Sequence, residues 1–262
     1  MEERIKILDT YYDGQKEDLR LVQSRRGQLE FVTTMHYIHK LLSPNANIIE
    51  VGAGTGRYSI ALAREGHQVT AVELVEKNLE VLRKNSKGMK NINVVQGDAL
   101  DLSRFQDEIY DMTLVFGPLY HLYEKKDQKK ALEEAIRVTQ KGGIIMVAFL
   151  SVHGLLLNNF FQGRWAFGIE SNFSSDYQVR HFTEQLFTGF DIEEFEKMFE
   201  SLPVEWITTV STDSILELVK RIDGFSMSEE DFTIFSQFHL AHCEKRELLG
   251  YASHLLYLCR KQ

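Results

Sequence analysis

One ten-residue segment constrains the fold of this chain more than any other: Ile48-Ile49-Glu50-Val51-Gly52-Ala53-Gly54-Thr55-Gly56-Arg57. Its apolar beginning suits a strand buried on both faces, as in a parallel sheet. Glycines at alternate positions then permit backbone angles and close approach that a side chain forbids. The helix that opens after them aims its free amides at whatever lies over the loop. Strand, glycine turn and helix in this order read as a nucleotide-type cofactor site in an α/β sheet.

The spacing departs from the dinucleotide version. Glycines stand at 52, 54 and 56, and Arg57 occupies the place of the third dinucleotide glycine, which allows tight packing of helix on strand. Glu50 points the same way: its carboxylate repels a pyrophosphate but favours a ligand with an ammonium and a sulfonium, as S-adenosylmethionine has.

An acid followed by GxGxG, here Glu50, Gly52, Gly54 and Gly56, resembles the first motif of the class I S-adenosylmethionine-dependent methyltransferases. Later segments extend the resemblance over about residues 28 to 150. His67 to Glu73 reads as a second strand ending in an acid about 20 residues past the loop, where a carboxylate can accept from both ribose hydroxyls. Val75 to Lys84 reads as a helix and Ile92 to Gln96 as a third strand. Gly97-Asp98-Ala99 then resembles the family's adenine-binding segment. Tyr110 to Phe116 is a fourth strand, stopped at Gly117-Pro118. Gln128 to Thr139 reads as a helix closed by Lys141-Gly142-Gly143, and Ile144 to Leu150 as a fifth strand. The resemblance implies a cofactor site built from Glu50, Gly52, Ala53, Gly54, Gly56, Glu73, Leu74, Asp98, Ala99, Phe116 and Gly117. It also implies a doubly wound α/β fold with a mostly parallel seven-stranded sheet in the order 3-2-1-4-5-7-6, the last strand antiparallel, under a helical cap.

Methyl transfer from a sulfonium is an in-line displacement that depends chiefly on holding the nucleophile opposite sulfur. His121, which titrates near neutrality and follows the fourth strand, is the candidate general base, and Tyr120 the candidate orienting group. Gly117-Pro118-Leu119-Tyr120 stands where the nucleic-acid amino-methylating branch carries an acidic or Asn-Pro-Pro-aromatic motif, which favours a small-molecule acceptor.

The remaining segments bear on the acceptor. Residues 1–27 read as an N-terminal arm or lid, with Tyr11, Tyr12 and Arg25 as candidate acceptor contacts. Residues 28–150 form the cofactor core. Residues 151–190, rich in aromatics that include Trp165 and Phe182, read as a substrate cap or a subunit interface. Residues 191–262 complete the sheet: a helix capped by Asp191, strands at Trp206 to Ser211 and His254 to Leu258, and a helical excursion between the strands.

A net charge of -8 argues against a nucleic-acid partner. Two cysteines imply no disulfide framework, and no long apolar run implies a membrane span, so the expectation is a cytoplasmic monomer or homodimer. His239, His242 and Cys243 lack a metal-binding spacing, so no metal is expected. A methyltransferase acting on RNA or protein, an NAD-dependent oxidoreductase and a noncatalytic S-adenosylmethionine-binding protein remain as alternatives.

Overall fold

Alternation along the strands sorts the core into two layers. In the computed structural model, which describes residues 2–181 and 186–262, successive strand residues enter opposite clusters. Ile49, Val51, Val115, Ile145, Val147 and Phe149 face one side of the sheet, while Ile48, Met112, Leu114, Ile144 and Met146 face the other. A sheet buried on both faces needs helices on both.

The chain supplies them in order. An arm of α1 (Glu2–Tyr11) and α2 (Gln15–Leu19) leads into α3 (Arg25–Leu41). The core follows as β1 (Asn47–Val51), α4 (Arg57–Arg64), β2 (Gln68–Glu73), α5 (Glu76–Asn85), β3 (Ile92–Gln96) and β4 (Tyr110–Val115). A single 3-10 turn, Pro118–His121, precedes α6 (Lys125–Val138) and β5 (Thr139–Ser151). Next come α7 (Val152–Phe161), α8 (Trp165–Glu170), a two-residue β6 (Gly189–Phe190), α9 (Ile192–Lys197) and β7 (Val204–Ser211). Helices α10 (Leu216–Val219), α11 (Glu229–His242) and α12 (Arg246–Leu249) lead to β8 (His254–Lys261).

The sheet order is β3-β2-β1-β4-β5-β8-β7, with β6 paired to β5 off this path. Strands β1 to β5 run parallel, and β8 lies antiparallel between β5 and β7. Apart from β6, this is the order expected from the sequence. Helices α3 and α4 cover one face through Met35, Ile38, Tyr58 and Leu62, and α6 and α9 the other through Leu132, Ala135 and Phe195.

Two boundaries differ from the sequence reading. Helix α6 begins at Lys125, and Gly142-Gly143 does not close it; both glycines lie inside β5, where the pairing register with β4 shifts between Tyr110 and Met112. Gly142 has φ 78°, and a Cβ on Gly143 would stand 2.7 Å from the Thr139 Cγ2. The glycines therefore serve an irregularity in the strand.

Asp191 caps α9 as expected, accepting from the Glu193 and Glu194 amides at 2.9 and 3.2 Å. Phe195 on that helix is wholly buried and stacks on Phe149 with ring centroids 3.8 Å apart. Phe195→Ala should lower unfolding free energy by about 3–5 kcal/mol, whereas Ile234→Ala on the exposed face of α11 should change it by less than about 0.5 kcal/mol, both read from urea denaturation.

Candidate active site

The cleft lies outside the carboxyl ends of β1 to β4, where an α/β sheet of this order presents ligands. Its floor is the glycine loop. Gly52 has φ 83°, and a Cβ there would approach the Phe116 carbonyl oxygen to 2.7 Å. The loop is braced by Glu73 at the end of β2, whose two carboxylate oxygens accept from the amides of Gly54 at 2.7 Å and Val75 at 2.8 Å. Burial pushes the Glu73 carboxyl above its ordinary range, opposed by those amides and by Asn78. Asn78 lines the same cleft, and its Oδ1 is buried without a hydrogen-bond partner.

Glu50 sits beneath the loop. It is 1% exposed and accepts from the Ser59 amide at 2.9 Å and from the Ser59 hydroxyl. Burial raises its carboxyl to about 8 against the lowering effect of the Ser59 bonds, and nearby Glu73 adds to the rise. Glu50 is thus largely protonated at neutral pH until a cation arrives.

In the same cleft, His121 closes the 3-10 turn and is 6% exposed. Its Nδ1 lies 2.7 Å from the Leu186 carbonyl, which can only accept, so Nδ1 carries the hydrogen. The Nε2 lone pair then accepts from the Tyr12 hydroxyl at 2.9 Å. Burial lowers His121 to about 4 and raises Tyr12 well above the usual phenol range, so both are uncharged at neutral pH.

Of the residues singled out from the sequence, Glu50, Gly52, Ala53, Gly54, Glu73, Leu74, Asp98, Ala99, Phe116, Gly117, Tyr12, Tyr120 and His121 line this cleft. Four do not. Gly56 opens α4 and faces away: a Cβ would strike the Leu82 Cδ1 at 2.2 Å, so its role is helix packing. Tyr11 is 55% exposed and sets its ring edge-on to Tyr12 and Phe187 from outside. Arg25 turns towards α11, bonding Gln28, the Met227 carbonyl and Glu229 and lying over Phe232. Trp165 is 60% exposed and stacks on Phe160, and none of the described residues of 151–181 lines the cleft. Phe182 lies outside the described residues.

The arm contributes more than its tyrosines. Arg4 pairs with Asp98, and Leu8, Glu17, Arg20 and Leu21 join the cleft wall. Leu8 and Leu21 are buried, an apolar spacing that was the available signal in the sequence. Arg4 and Arg20 had none, because their partners lie on other elements or ten residues along the chain.

Comparison with known proteins agrees with this geometry. Residues 49–147 match the family model described as a methyltransferase domain. Over that segment the chain is similar to the class I S-adenosylmethionine-dependent methyltransferases. It is 37% identical over 105 residues to a demethylmenaquinone methyltransferase of Clavibacter sepedonicus, covering 40% of this chain and 41% of the relative. With the enzyme of the same name from Renibacterium salmoninarum it shares 32% over 141 residues, 53% of this chain and 54% of the relative. The matches thus span about half the length of these curated relatives or less. Phosphoethanolamine N-methyltransferase 1 of Haemonchus contortus, solved with phosphoethanolamine and S-adenosylhomocysteine, superposes with a TM-score of 0.63 at 14% identity, over 99% of this chain and 48% of that one. At that identity the likeness is one of fold.

His121 has a stability consequence. Its folded value lies below the ordinary 6.5, so its contribution is fully present above that pH and is lost as pH falls towards about 4. Over that window the linkage is on the order of 3 kcal/mol. His121→Gln should therefore flatten the acid limb of a stability-against-pH curve measured by urea denaturation, and an unchanged limb would show that burial of this ring is not coupled to folding.

Proposed function

We propose that the protein transfers the methyl group of S-adenosylmethionine to a small-molecule acceptor, releasing S-adenosylhomocysteine. The observation that carries this reading is the uncharged Tyr12–His121 pair, joined at 2.9 Å, in the same cleft as the glycine loop and Glu73. That loop fits the cofactor: Gly52 and Gly54 line the cleft at positive φ without a side chain, and Asn78 offers an unpaired buried oxygen. Glu73 and Asn78 would hold the ribose, Asp98 and Ala99 the adenine, and Glu50 the ammonium end.

When bound, the cofactor supplies an electrophilic methyl on a sulfonium, so the protein's task is mainly placement. Tyr12, Phe116 and Tyr120 wall the acceptor side. His121, fixed as the Nδ1–H tautomer by the Leu186 carbonyl, keeps Nε2 free to receive a proton through Tyr12. A neutral imidazole also avoids opposing the sulfonium. The demethylmenaquinone relatives act on a small molecule by name, which supports an acceptor of that size class. No described helix is long and apolar enough to cross a membrane, and Cys243 and Cys259 are buried and unpaired, which supports a cytoplasmic setting.

Glu73→Ala removes the ribose carboxylate and the brace of the loop together. It should weaken S-adenosylhomocysteine binding at least about 30-fold by calorimetry. His121→Ala should leave that affinity within about threefold while lowering turnover at least about 100-fold. Equal loss of both quantities in His121→Ala would assign the histidine to cofactor binding. A second expectation concerns protons: cofactor binding at pH 7 should release a proton from Glu50, seen as a binding enthalpy that varies with the ionisation enthalpy of the buffer, and Glu50→Gln should abolish that variation.

A further inference from the structure

One part of the chain stands away from the sheet with apolar side chains turned outward. Helix α7 is firmly seated at its base. Val152 and Gly154 are buried, the Ser151 hydroxyl accepts from the Gly154 amide at 3.2 Å, and a Cβ on Gly154 would stand 2.3 Å from the Ala252 carbonyl oxygen. Burial then fades along the helix: residues 155–160 are half-buried, and residues 161–167 are all exposed. Gly163, at φ 69°, lies in the turn between the helices. Helix α8 folds back on α7 at Gly168, where a Cβ would meet the Asn159 Cβ at 2.8 Å. Ten residues of helix carry this tip about 15 Å from the buried base.

The tip is aromatic. Phe161, Trp165 and Phe167 are 50%, 60% and 52% exposed. Single apolar side chains on a surface are ordinary, but three within seven residues of one turn mark a contact with an apolar medium. The rings are braced from within: Phe160 stacks on Trp165 with centroids 4.0 Å apart, and the Arg164 guanidinium lies 4.2 Å from the Phe167 centroid. An arginine laid along a ring can bury its stem and keep its head in a polar layer. None of the described residues of 151–181 lines the cofactor cleft, so the cleft does not account for these rings.

Charge selects the partner. No Asp or Glu occurs from Ala135 to Ile169, although the chain has 38. Over residues 151–181, Arg164 and Arg180 stand against Glu170 and Asp176. Over residues 215–225, which meet α7 through the Arg221–Asn158 bond of 3.0 Å, Lys220 and Arg221 stand against Glu217 and Asp223. Both segments are neutral, and the net charge of -8 lies elsewhere on the chain. A layer of lipid phosphates therefore repels this face least. A fluid bilayer needs no matching hollow to take up a projecting tip, whereas two copies of the tip would meet over little area.

We infer that the α7–α8 tip docks the protein on a lipid bilayer. Phe161, Trp165 and Phe167 enter the boundary between headgroups and acyl chains, Arg164 stays among the headgroups, and the neutral face beneath rests on the surface. The attachment is peripheral, and burial of the rings drives it.

The test uses the full chain with Trp206→Phe, which leaves Trp165 as the sole tryptophan. Phosphatidylcholine vesicles should shift its emission to the blue, and phosphatidylcholine brominated on its acyl chains should quench it at least about twofold, at about 0.5 M salt as at about 0.1 M. With both tryptophans present, cosedimentation with the vesicles should fall at least about fivefold in Phe161→Ser and in Phe167→Ser, each keeping its urea denaturation midpoint. It should stay within about 1.5-fold in Ile234→Ser, whose side chain is equally exposed on α11. Cosedimentation carries the test if Trp206→Phe does not fold. Absence of shift and quenching, loss of binding at the higher salt, or equal loss in Ile234→Ser would overturn docking through this tip. A lipid-free dimer in analytical ultracentrifugation that Phe161→Ser dissociates would also overturn it, and would give the tip to a second copy of the chain.

Discussion

The carboxylate of Glu73 is the tie on which the site depends. A glycine-rich loop gains access to a ligand by giving up side chains, and it loses with them the contacts that would hold it in one conformation. Here one buried acid at the end of β2 restores that order by gripping amides on both sides of the cleft floor, at Gly54 and at Val75. The sheet below fixes where Glu73 stands, because β2 pairs with both β1 and β3 in register. The same residue therefore transmits the rigidity of the sheet to a loop that has little of its own. Each carboxylate oxygen accepts one backbone hydrogen and keeps a lone-pair direction for a ligand hydroxyl.

Two ionisable groups of the cleft are held uncharged in different ways. Glu50 is held protonated by burial and becomes charged only when a cation compensates it. His121 is held neutral by the same physical cause acting on the opposite sign of ion. Both groups are thus uncharged in the free protein, which lowers the desolvation penalty of closing the site. Arg4, Arg20 and Arg26 are the exception, and each lies against carboxylates.

The fold was legible because its signals are local and repeated. Four strand and helix alternations, each with a glycine or acid at the strand end, leave few topologies open, and β1 to β4 came out within a residue or two, while β5 starts five residues ahead of Ile144 and β8 runs three past Leu258. The floor of the site was legible for the same reason, since Glu50, Gly52, Gly54, Glu73 and Asp98 are defined by strand ends. The walls were not. Arg25 has the chemistry of an anion clamp, but the turn of α3 on which it sits delivers it to Glu229, over 200 residues away in sequence. Trp165 has the chemistry of a pocket lining, yet it stacks on its own helical neighbour Phe160 on the outside. Glu30 carries no signal of its own in the sequence; only the fold shows that it meets Arg20, Arg26 and the start of β8. Composition tells what a side chain can do, and long-range packing decides whether it is near the chemistry.

The strand order has a consequence for assembly. Strand β8 enters between β5 and β7, both of which precede it in the sequence, and its pairing with β5 joins Ile144 to Arg260. Until residues 254–261 arrive, β5 keeps an open edge and β7 has no neighbour in the sheet. Contacts that close so long a stretch of chain form slowly. A growing polypeptide would thus hold a nearly finished cofactor floor beside an unprotected strand edge, and the small cavity where residues 254–256 of β8 meet Arg20 and Glu30 would be the last part to exist.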